Sequence, residues 1–176
     1  KIEGDFIIRF MTSHPKDVSD ELIDVIGKYN GKIAPAFHLP LQSGSDRILK
    51  EMNRTYNTEK YLATVEKLRK AVPDIALTSD IIVGFPTETD EDFEDTMRIL
   101  EKVRFDMVFS FIYSKREGTR AAKMECPLDD ETKKRRMARL LDVQCNISHE
   151  INDTYVGKTV RVLVDSFDEK DGKRIY

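Results

Sequence analysis

Four short apolar runs alternate with segments of helical periodicity, and this alternation constrains the fold more than any other feature of the sequence. The runs are rich in β-branched and aromatic residues and cover residues 6–10, 33–41, 75–85 and 107–113. In the third run, residues 81–83 are continuously apolar, which is typical of a parallel strand buried on both faces. Strands that are each followed by a helix predict an α/β fold with a parallel sheet.

Local signals place the helices between these runs. Ser19 and Thr89 are residue types that cap helix N-termini, and each precedes a segment with an apolar face. The second run is interrupted by Pro35 and Pro40, so that strand is predicted to be short or irregular. The spacing of apolar residues predicts further helices over residues 46–53, 57–71 and 129–154.

The composition fits one domain, or one domain with a short appendage. The chain has 176 residues, of which 40% are apolar and 35% are charged, and this is enough for a stable core. No run approaches the roughly 18 apolar residues of a membrane span, and the first residues do not resemble a secretory leader. We therefore expect a cytoplasmic protein without a membrane partner. The net charge of −3 argues against nucleic-acid binding over the whole surface, although a local basic patch lies at residues 133–139.

Polar loops follow the predicted strands, at residues 11–15, 42–45, 84–88 and 114–119. The carboxyl ends of parallel strands share one edge of the sheet, and folds of this kind bind their ligands there. The loops are rich in hydroxyl groups, Gly, Pro and charge. Two interpretations are open at this point: the loops form a ligand site, or they have only the ordinary polarity of loops.

The histidines and cysteines lack the spacing of a metal site. His14 lies in a loop, His38 lies in an apolar strand where a hydrogen-bonded core imidazole is expected, and His149 lies on a helix. Cys126 and Cys145 form neither a disulfide framework nor a set of four metal ligands. The sequence also has no nucleophile elbow, Walker loop or dinucleotide fingerprint.

The loop sequences resemble those of one enzyme family. The segments at 9–15 (RFMTSHP), 38–45 (HLPLQSGS), 79–89 (SDIIVGFPTET) and 109–119 (FSFIYS followed by REGT) keep the order and spacing of the tRNA methylthiotransferase motifs. The match covers nearly the whole chain. The sequence thus resembles the tRNA methylthiotransferases, which are radical S-adenosylmethionine (SAM) enzymes.

The resemblance implies a fold and two domains. Residues 1–155 would be the C-terminal part of a radical SAM βα barrel, a partial TIM-type barrel with parallel strands. Residues 156–176 would be the start of a truncated TRAM domain, a β domain that binds RNA, with its first strand at residues 159–164. The sheet of such a fragment would be incomplete and would have an open edge.

The family's cofactors are SAM and two four-iron, four-sulfur (4Fe-4S) clusters. Its barrel cluster is bound by a Cys-x-x-x-Cys-x-x-Cys loop, and its second cluster by three cysteines of an N-terminal domain. Cys126 and Cys145 match none of these positions. We therefore expect no cluster, no metal site and no catalytic activity from this chain alone.

The resemblance also implies a reaction and a partner. Residues 42–45 resemble the tRNA-modifying members of the family, and residues 12–15 with Pro40 resemble the dimethylallyladenosine branch more than the threonylcarbamoyladenosine branch. The whole enzyme would add a methylthio group to adenine C2 of a dimethylallyl-modified adenosine beside the anticodon. Its partner would be the anticodon stem-loop of tRNA, and the oligomeric state is open. The chain departs from the family at Arg120, which is generally Pro, and at Asp80, where a Gly is usual.

The resemblance assigns candidate site residues on the predicted rim. Hydrogen-bonding side chains and an apolar ledge for the adenine would contact SAM, at Ser13, Gln42, Ser43, Ile82, Val83, Gly84 and Phe85. Contacts with RNA are expected at His14, Arg116, Lys133 and Arg136. For the basic stretch at 133–139, a solvated helix face is an equal alternative.

Two other classes of protein remain open. A βα-barrel enzyme that acts on a phosphorylated metabolite would need a Gly-rich phosphate loop at a helix N-terminus, and the sequence shows none. A non-catalytic RNA-docking module would need no catalytic residues. Upstream cysteines at Cys-x-x-x-Cys-x-x-Cys spacing would decide in favour of the radical SAM enzyme.

Overall fold

The computed structural model describes residues 3–11, 14–160, 166–167 and 174–175. The α-helices are α1 (Asp20–Lys28), α2 (Asp46–Glu51), α3 (Thr58–Ala71), α4 (Asp90–Val103) and α5 (Asp130–Asp153). The strands are β1 (Ala36–His38), β2 (Ala76–Val83), β3 (Met107–Ile112), β4 (Ser166–Phe167) and β5 (Arg174–Ile175). Short 3-10 turns lie at Pro15–Asp17 and Ala121–Lys123. None of the described helices is long and apolar enough to cross a membrane.

The main sheet is parallel and has the strand order β1-β2-β3. β1 pairs with the start of β2, with Phe37 opposite Leu77, and β3 pairs with β2, with Phe109 opposite Asp80. Since helices connect these parallel strands, the predicted α/β fold is confirmed. β1 has three residues, as its flanking prolines predict. Within the described residues the sheet stays open and does not close into a barrel.

The predicted strand at residues 6–10 is wrong. This segment is extended, but it joins the sheet region through a single parallel bridge between Ile8 and Ile33. The next acceptor of such a ladder is the Ala34 carbonyl, and it accepts instead a hydrogen bond from the Ala36 N–H across Pro35, at 2.7 Å. The chain turns at Pro35 because the ring fixes its φ angle, and the ladder ends there.

Capping confirms the predicted starts of α1 and α4. Ser19 Oγ accepts a hydrogen bond from the Leu22 N–H (3.2 Å). Thr89 Oγ1 accepts from the Asp92 N–H (3.2 Å), and the Asp92 carboxylate accepts from the Thr89 N–H (2.8 Å). This reciprocal capping box satisfies two backbone donors, one of them an N–H that the first turn of a helix leaves unpaired.

The core lies on one face of the sheet. Buried and partly exposed residues alternate along β2, and Ile81 and Val83 are fully buried. They belong to the same buried cluster as residues of the helices, such as Leu100 of α4. The prediction that residues 81–83 are buried on both faces is therefore wrong for the described part of the chain, because the helices cover one face only. Ile82 lies on the opposite face, which we call the inner face.

The C-terminal residues form a small β element of their own. β4 and β5 pair in antiparallel fashion, with Ser166 opposite Ile175. They follow α5, which ends at Asp153 and is succeeded by a turn. Most of the strand predicted at residues 159–164 falls outside the described residues. The domain boundary between residues 155 and 156 stays a prediction.

Candidate functional site

A cleft of about 800 Å³ lies at the carboxyl ends of β2 and β3, on the inner face of the sheet. Its lining comes from the loops that follow β1, β2 and β3, and it includes Gln42, Arg54, Asp80, Ile82, Phe85, Phe111, Tyr113 and Arg116. The volume and the mixture of apolar and polar groups are typical of a small-molecule site. The cleft thus lies on the rim that the sequence predicts.

Gln42 is held at the cleft by the sheet itself. Its N–H donates to the Asp80 carbonyl (2.7 Å), and its carbonyl accepts from the Ile82 N–H (2.9 Å). The backbone of Gln42 has a φ of 69°, in the left-handed region that a non-glycine residue seldom occupies. Such conformations cost free energy and concentrate at functional sites. No described residue hydrogen-bonds the side-chain amide of Gln42, so this group is free to bind a ligand.

The neighbouring Ser43 is turned away from the cleft. Its hydroxyl is buried, lies 3.4 Å from Thr96 Oγ1 and accepts a hydrogen bond from the Ser45 N–H (3.2 Å). Gly44 approaches α4 so closely that a Cβ would lie 2.4 Å from Thr96 Cα. The packing of this loop on α4 already engages the Ser43 hydroxyl, and the SAM contact of Ser43 stays a prediction.

The predicted ledge at residues 82–85 is divided between the cleft and the core. Ile82 and Phe85 line the cleft, and the Phe85 ring meets the Tyr113 ring edge-on at a centroid distance of 5.3 Å. Val83 is buried in the core, and its carbonyl accepts a hydrogen bond from the Tyr113 N–H (2.9 Å). The SAM contact of Val83 stays a prediction, while Ile82 and Phe85 can offer apolar contact to a ligand.

The absence of a side chain at Gly84 allows the Lys133 side chain to pack closely against it. It has a φ of +76°, and a Cβ at this position would lie 2.7 Å from Lys133 Cγ. The Gly84 N–H donates to Glu88 Oε2 (2.9 Å). A side chain at this position would therefore meet Lys133, and the contact of Gly84 with SAM stays a prediction. The Lys133 ammonium lies 3.4 Å from the Asp130 carboxylate, and its contact with RNA stays a prediction.

A buried ion pair supports the turn that follows β2. Arg136 Nη1 donates to Glu88 Oε2 (2.6 Å), and Arg136 Nη2 donates to Asp90 Oδ1 (2.7 Å). The side-chain exposure is 5% for Arg136 and 1% for Glu88. Burial raises the pKa of the Glu88 carboxyl, although the Gly84 N–H and the Arg136 guanidinium favour its charged form. The protein encloses the Arg136 guanidinium, and the RNA contact of Arg136 stays a prediction.

Two residues of the cleft are not predicted by the sequence. Arg54 Nε and Tyr113 Oη are buried and have no hydrogen-bond partner among the described residues. Both residues line the cleft. Buried polar groups are normally satisfied, so these two atoms stand out among the residues that line the cleft. The sequence signal near Arg54 is Asn53, a residue type that tolerates the left-handed backbone (φ 58°) found at the end of α2.

A polar cluster on the inner face borders the cleft. His38 Nδ1 lies 2.8 Å from Thr78 Oγ1, and His38 Nε2 lies 3.5 Å from Asp80 Oδ1. Asp80 also lines the cleft. The expected hydrogen bonding of the His38 imidazole is confirmed, but its expected place in the core is wrong. Since Phe37 faces the core, the two-residue period of the strand places His38 on the inner face.

The remaining predicted residues lie at the margin of the cleft or outside it. Arg116 lines the cleft. His14 accepts a hydrogen bond from the Lys16 N–H (3.3 Å), and its ring lies 5.7 Å from the Tyr56 ring. Ser13 lies outside the described residues. The RNA contacts of His14 and Arg116 and the SAM contact of Ser13 stay predictions.

The described residues do not fit a 4Fe-4S cluster. Among them, no group of three or more His, Cys, Asp or Glu side chains could hold a metal ion. Cys126 is half-buried and Cys145 is exposed, and both thiols are free. The prediction that the chain alone binds no cluster remains to be tested.

A parallel βα sheet with a cleft at its carboxyl edge is the arrangement in which α/β folds bind their ligands. The sequence model of the Radical SAM superfamily matches residues 1–100, and the chain belongs to this superfamily.

Individual relatives indicate which enzymes of this superfamily the chain is similar to. A tRNA-2-methylthio-N(6)-dimethylallyladenosine synthase of Acetivibrio thermocellus is 56% identical over 173 residues, which are 98% of this chain and 36% of that protein. A synthase of the same name from Alkaliphilus oremlandii is 52% identical over 175 residues, 99% of this chain and 37% of that protein. The resemblance to the tRNA methylthiotransferases is thus confirmed, and the chain spans little more than a third of the length of these relatives.

A solved structure supports the fold. Coproporphyrinogen III oxidase (HemN) from Escherichia coli, a radical SAM enzyme, matches with a TM-score of 0.65 at 16% identity, over 80% of this chain and 32% of that chain. At this identity the likeness shows the fold alone. It confirms the predicted radical SAM type of α/β fold, and the TRAM strand stays a prediction.

Proposed function

We propose that this chain is the C-terminal barrel part of a tRNA methylthiotransferase that acts in the cytoplasm. The whole enzyme adds a methylthio group to adenine C2 of a dimethylallyl-modified adenosine next to the anticodon. The observation that carries the proposal is the 56% identity to a tRNA-2-methylthio-N(6)-dimethylallyladenosine synthase across 98% of the chain. The remaining parts of the enzyme would supply the cysteines of two 4Fe-4S clusters.

The cleft fits SAM, which combines a planar adenine, ribose hydroxyls and an amino acid end with a carboxylate. The apolar surface of Ile82 and Phe85 suits the adenine. The free Gln42 amide and the Asp80 carboxylate can hydrogen-bond the ribose, and the unpaired Arg54 Nε suits the carboxylate of the ligand. When bound and reduced, SAM supplies the radical chemistry of the superfamily.

The aromatic residues of the cleft orient the cofactor and exclude water. Phe85, Phe111 and Tyr113 lie together along the lining, and their rings would exclude water from the cleft and so strengthen the polar contacts of a bound ligand. Tyr113 Oη has no partner among the described residues, so it can donate a hydrogen bond to the bound ligand. A fixed orientation of this kind lowers the entropic part of the activation barrier.

Cations at the mouth of the cleft would contact the tRNA. Arg116 and Arg120 line the cleft, and the Arg120 side chain is 78% exposed. Arg120 lies 3.6 Å from the Glu51 carboxylate in a surface pair, and such a weak pair can exchange for a phosphate. The basic stretch offers fewer free cations than its sequence suggests, because Arg136 is buried and Arg139 pairs with a carboxylate of α4.

Calorimetric titration of the full-length enzyme with SAM tests the cleft. Gln42→Ala removes one or two hydrogen bonds, each worth about 0.5–1.5 kcal/mol, so the affinity should fall several-fold to about tenfold. Ser43→Ala is the matched control, since its hydroxyl faces α4, and it should affect stability rather than affinity. If Gln42→Ala binds SAM as tightly as the parent, with the fold intact by circular dichroism, Gln42 does not belong to the site.

The reaction is tested with the full-length enzyme after anaerobic reconstitution with iron and sulfide. It should methylthiolate an anticodon stem-loop that carries N6-dimethylallyladenosine, as detected by mass spectrometry of the digested nucleosides. Absence of this product from enzyme that holds both clusters would refute the proposal. The phosphorylated-metabolite enzyme and the RNA-docking module are not favoured, because the named relatives are tRNA-modifying synthases.

A further inference from the structure

The inner face of the sheet carries an apolar patch on its last strand. Met107, Phe109 and Phe111 are 52%, 47% and 54% exposed, whereas Val108 between them belongs to the buried core. The two-residue period of a strand therefore places the three exposed side chains together on the inner face. We call Met107, Phe109 and Phe111 the β3 patch.

The β3 patch has a polar border. The β2 residues opposite its three members are Thr78, Asp80 and Ile82. The Phe109 ring meets the His38 ring edge-on at 5.9 Å, and His38 Nε2 lies 3.5 Å from the Asp80 carboxylate. A barrel interior that is simply packed is filled with layers of branched aliphatic side chains. An apolar surface beside a few convergent polar groups is the composition of a ligand site.

The β3 patch is continuous with the cleft. Phe111 belongs to both, and Ile82 beside it on β2 also lines the cleft. Phe109 lies two residues deeper along the strand, a distance of about 7 Å. A ligand that lies over Phe111, beside the SAM that Ile82 and Phe85 would contact, can therefore reach Phe109 with a substituent a few atoms long.

We propose that the β3 patch binds the N6-dimethylallyl group of the adenosine that the enzyme modifies. This inference rests on the proposed function and names the feature of the substrate that this face recognises. The dimethylallyl group is a branched hydrocarbon without polar atoms, so burial against half-exposed phenyl rings is favourable. A substituent with a carboxylate would be repelled by the Asp80 carboxylate and would lose its hydration against the apolar surface. Its binding to the patch is therefore disfavoured. The patch therefore selects dimethylallyladenosine over threonylcarbamoyladenosine.

RNA binding by the full-length enzyme tests this inference independently of the reaction. Fluorescence anisotropy compares an anticodon stem-loop that carries N6-dimethylallyladenosine with the same loop that carries unmodified adenosine. The wild-type enzyme should prefer the modified loop by about tenfold or more, the discrimination that burial of extra methylene groups provides. Phe109→Ser should remove most of this preference, because it takes away the phenyl ring at the centre of the patch.

Leu141→Ser is the matched control. Leu141 is 49% exposed on α5, so the substitution removes a similar apolar side chain from a surface outside the patch and should keep the wild-type preference. Met107→Ser, a second variant within the patch, should lower the preference as Phe109→Ser does. The inference is overturned if Phe109→Ser and Met107→Ser keep the wild-type preference, or if they weaken the binding of both loops by the same factor.

Failure of this inference and failure of the proposed function give different results. If the wild-type enzyme binds SAM and binds both loops with equal affinity, the β3 patch does not recognise the dimethylallyl group and the inference is overturned alone. If the wild-type enzyme binds neither loop and no SAM, the proposed function fails and the inference fails with it.

Discussion

The Arg136–Glu88 ion pair joins α5 to the turn between β2 and α4, and its removal has a predictable cost. The side-chain exposures of 5% and 1% make it a buried pair, and Glu88 Oε2 also accepts a hydrogen bond from the Gly84 N–H. Removal of one partner leaves an uncompensated buried charge, which costs about 3–5 kcal/mol. Arg136→Ala should therefore lower the free energy of unfolding by about that amount.

Urea unfolding followed by circular dichroism measures this loss. Arg139→Ala is the matched control on the same helix, because Arg139 and its partner Glu94 are about half exposed and solvent screens their interaction. Arg139→Ala should lower the free energy of unfolding much less. The double variant Arg136→Met with Glu88→Gln leaves no unpaired charge, so it should be more stable than Arg136→Ala alone.

A loss below about 1 kcal/mol for Arg136→Ala, which is the range of exposed pairs, would refute the reasoning. It would mean that Glu88 stays solvated or becomes neutral without strain when its partner is removed. Glu88 also fixes the backbone of the turn that joins the cleft residues Ile82 and Phe85 to α4. Arg136→Ala should therefore weaken SAM binding by the full-length enzyme. Arg139→Ala should leave it unchanged.

Three further results are expected. Gly44→Ala should lower the free energy of unfolding by about 1–3 kcal/mol in thermal melts, because its Cβ would lie 2.4 Å from Thr96 Cα and that backbone cannot easily move. Burial opposes ionisation of Asp92, yet hydrogen bonds from Arg47 and two neighbouring hydroxyls hold the pKa of its carboxyl well below the ordinary value. The resulting stability should be present above about pH 4 and be lost as the pH falls further, and Asp92→Asn should flatten this part of the stability curve. Anaerobic reconstitution of the isolated chain should yield no stoichiometric iron and no cluster absorption, because two cysteines cannot bind a cluster.

The helices followed from the sequence because their signals are local. A cap such as Ser19 or Thr89 acts within three residues, so its effect can be predicted without knowledge of the rest of the fold. The segment at residues 6–10 has the composition of a strand, but pairing depends on a neighbour that turns away at Pro35. Composition alone does not contain that information.

The sequence predicts the parts of the candidate site whose position follows from the path of the backbone. It does not predict the parts that depend on packing between distant segments. Gln42 and Phe85 lie in loops at the carboxyl edge of the sheet, which any parallel sheet would bring together. The contacts of Ser43 and Arg136 could not be predicted, because their partners lie 53 and 48 residues away, on elements whose packing the sequence does not specify. The burial that leaves Arg54 Nε without a partner is likewise visible only in three dimensions.

The position of β3 at the edge of the sheet bears on how the isolated chain behaves in solution. Within the described residues β3 pairs with β2 alone, so its outer edge presents backbone groups that another strand can bind. Its sequence, MVFSFI, contains no charge, Pro or Gly, and this is the composition of segments that stack into cross-β fibrils. The strand that carries the β3 patch is therefore an aggregation hazard whenever the inner face and the edge are left uncovered.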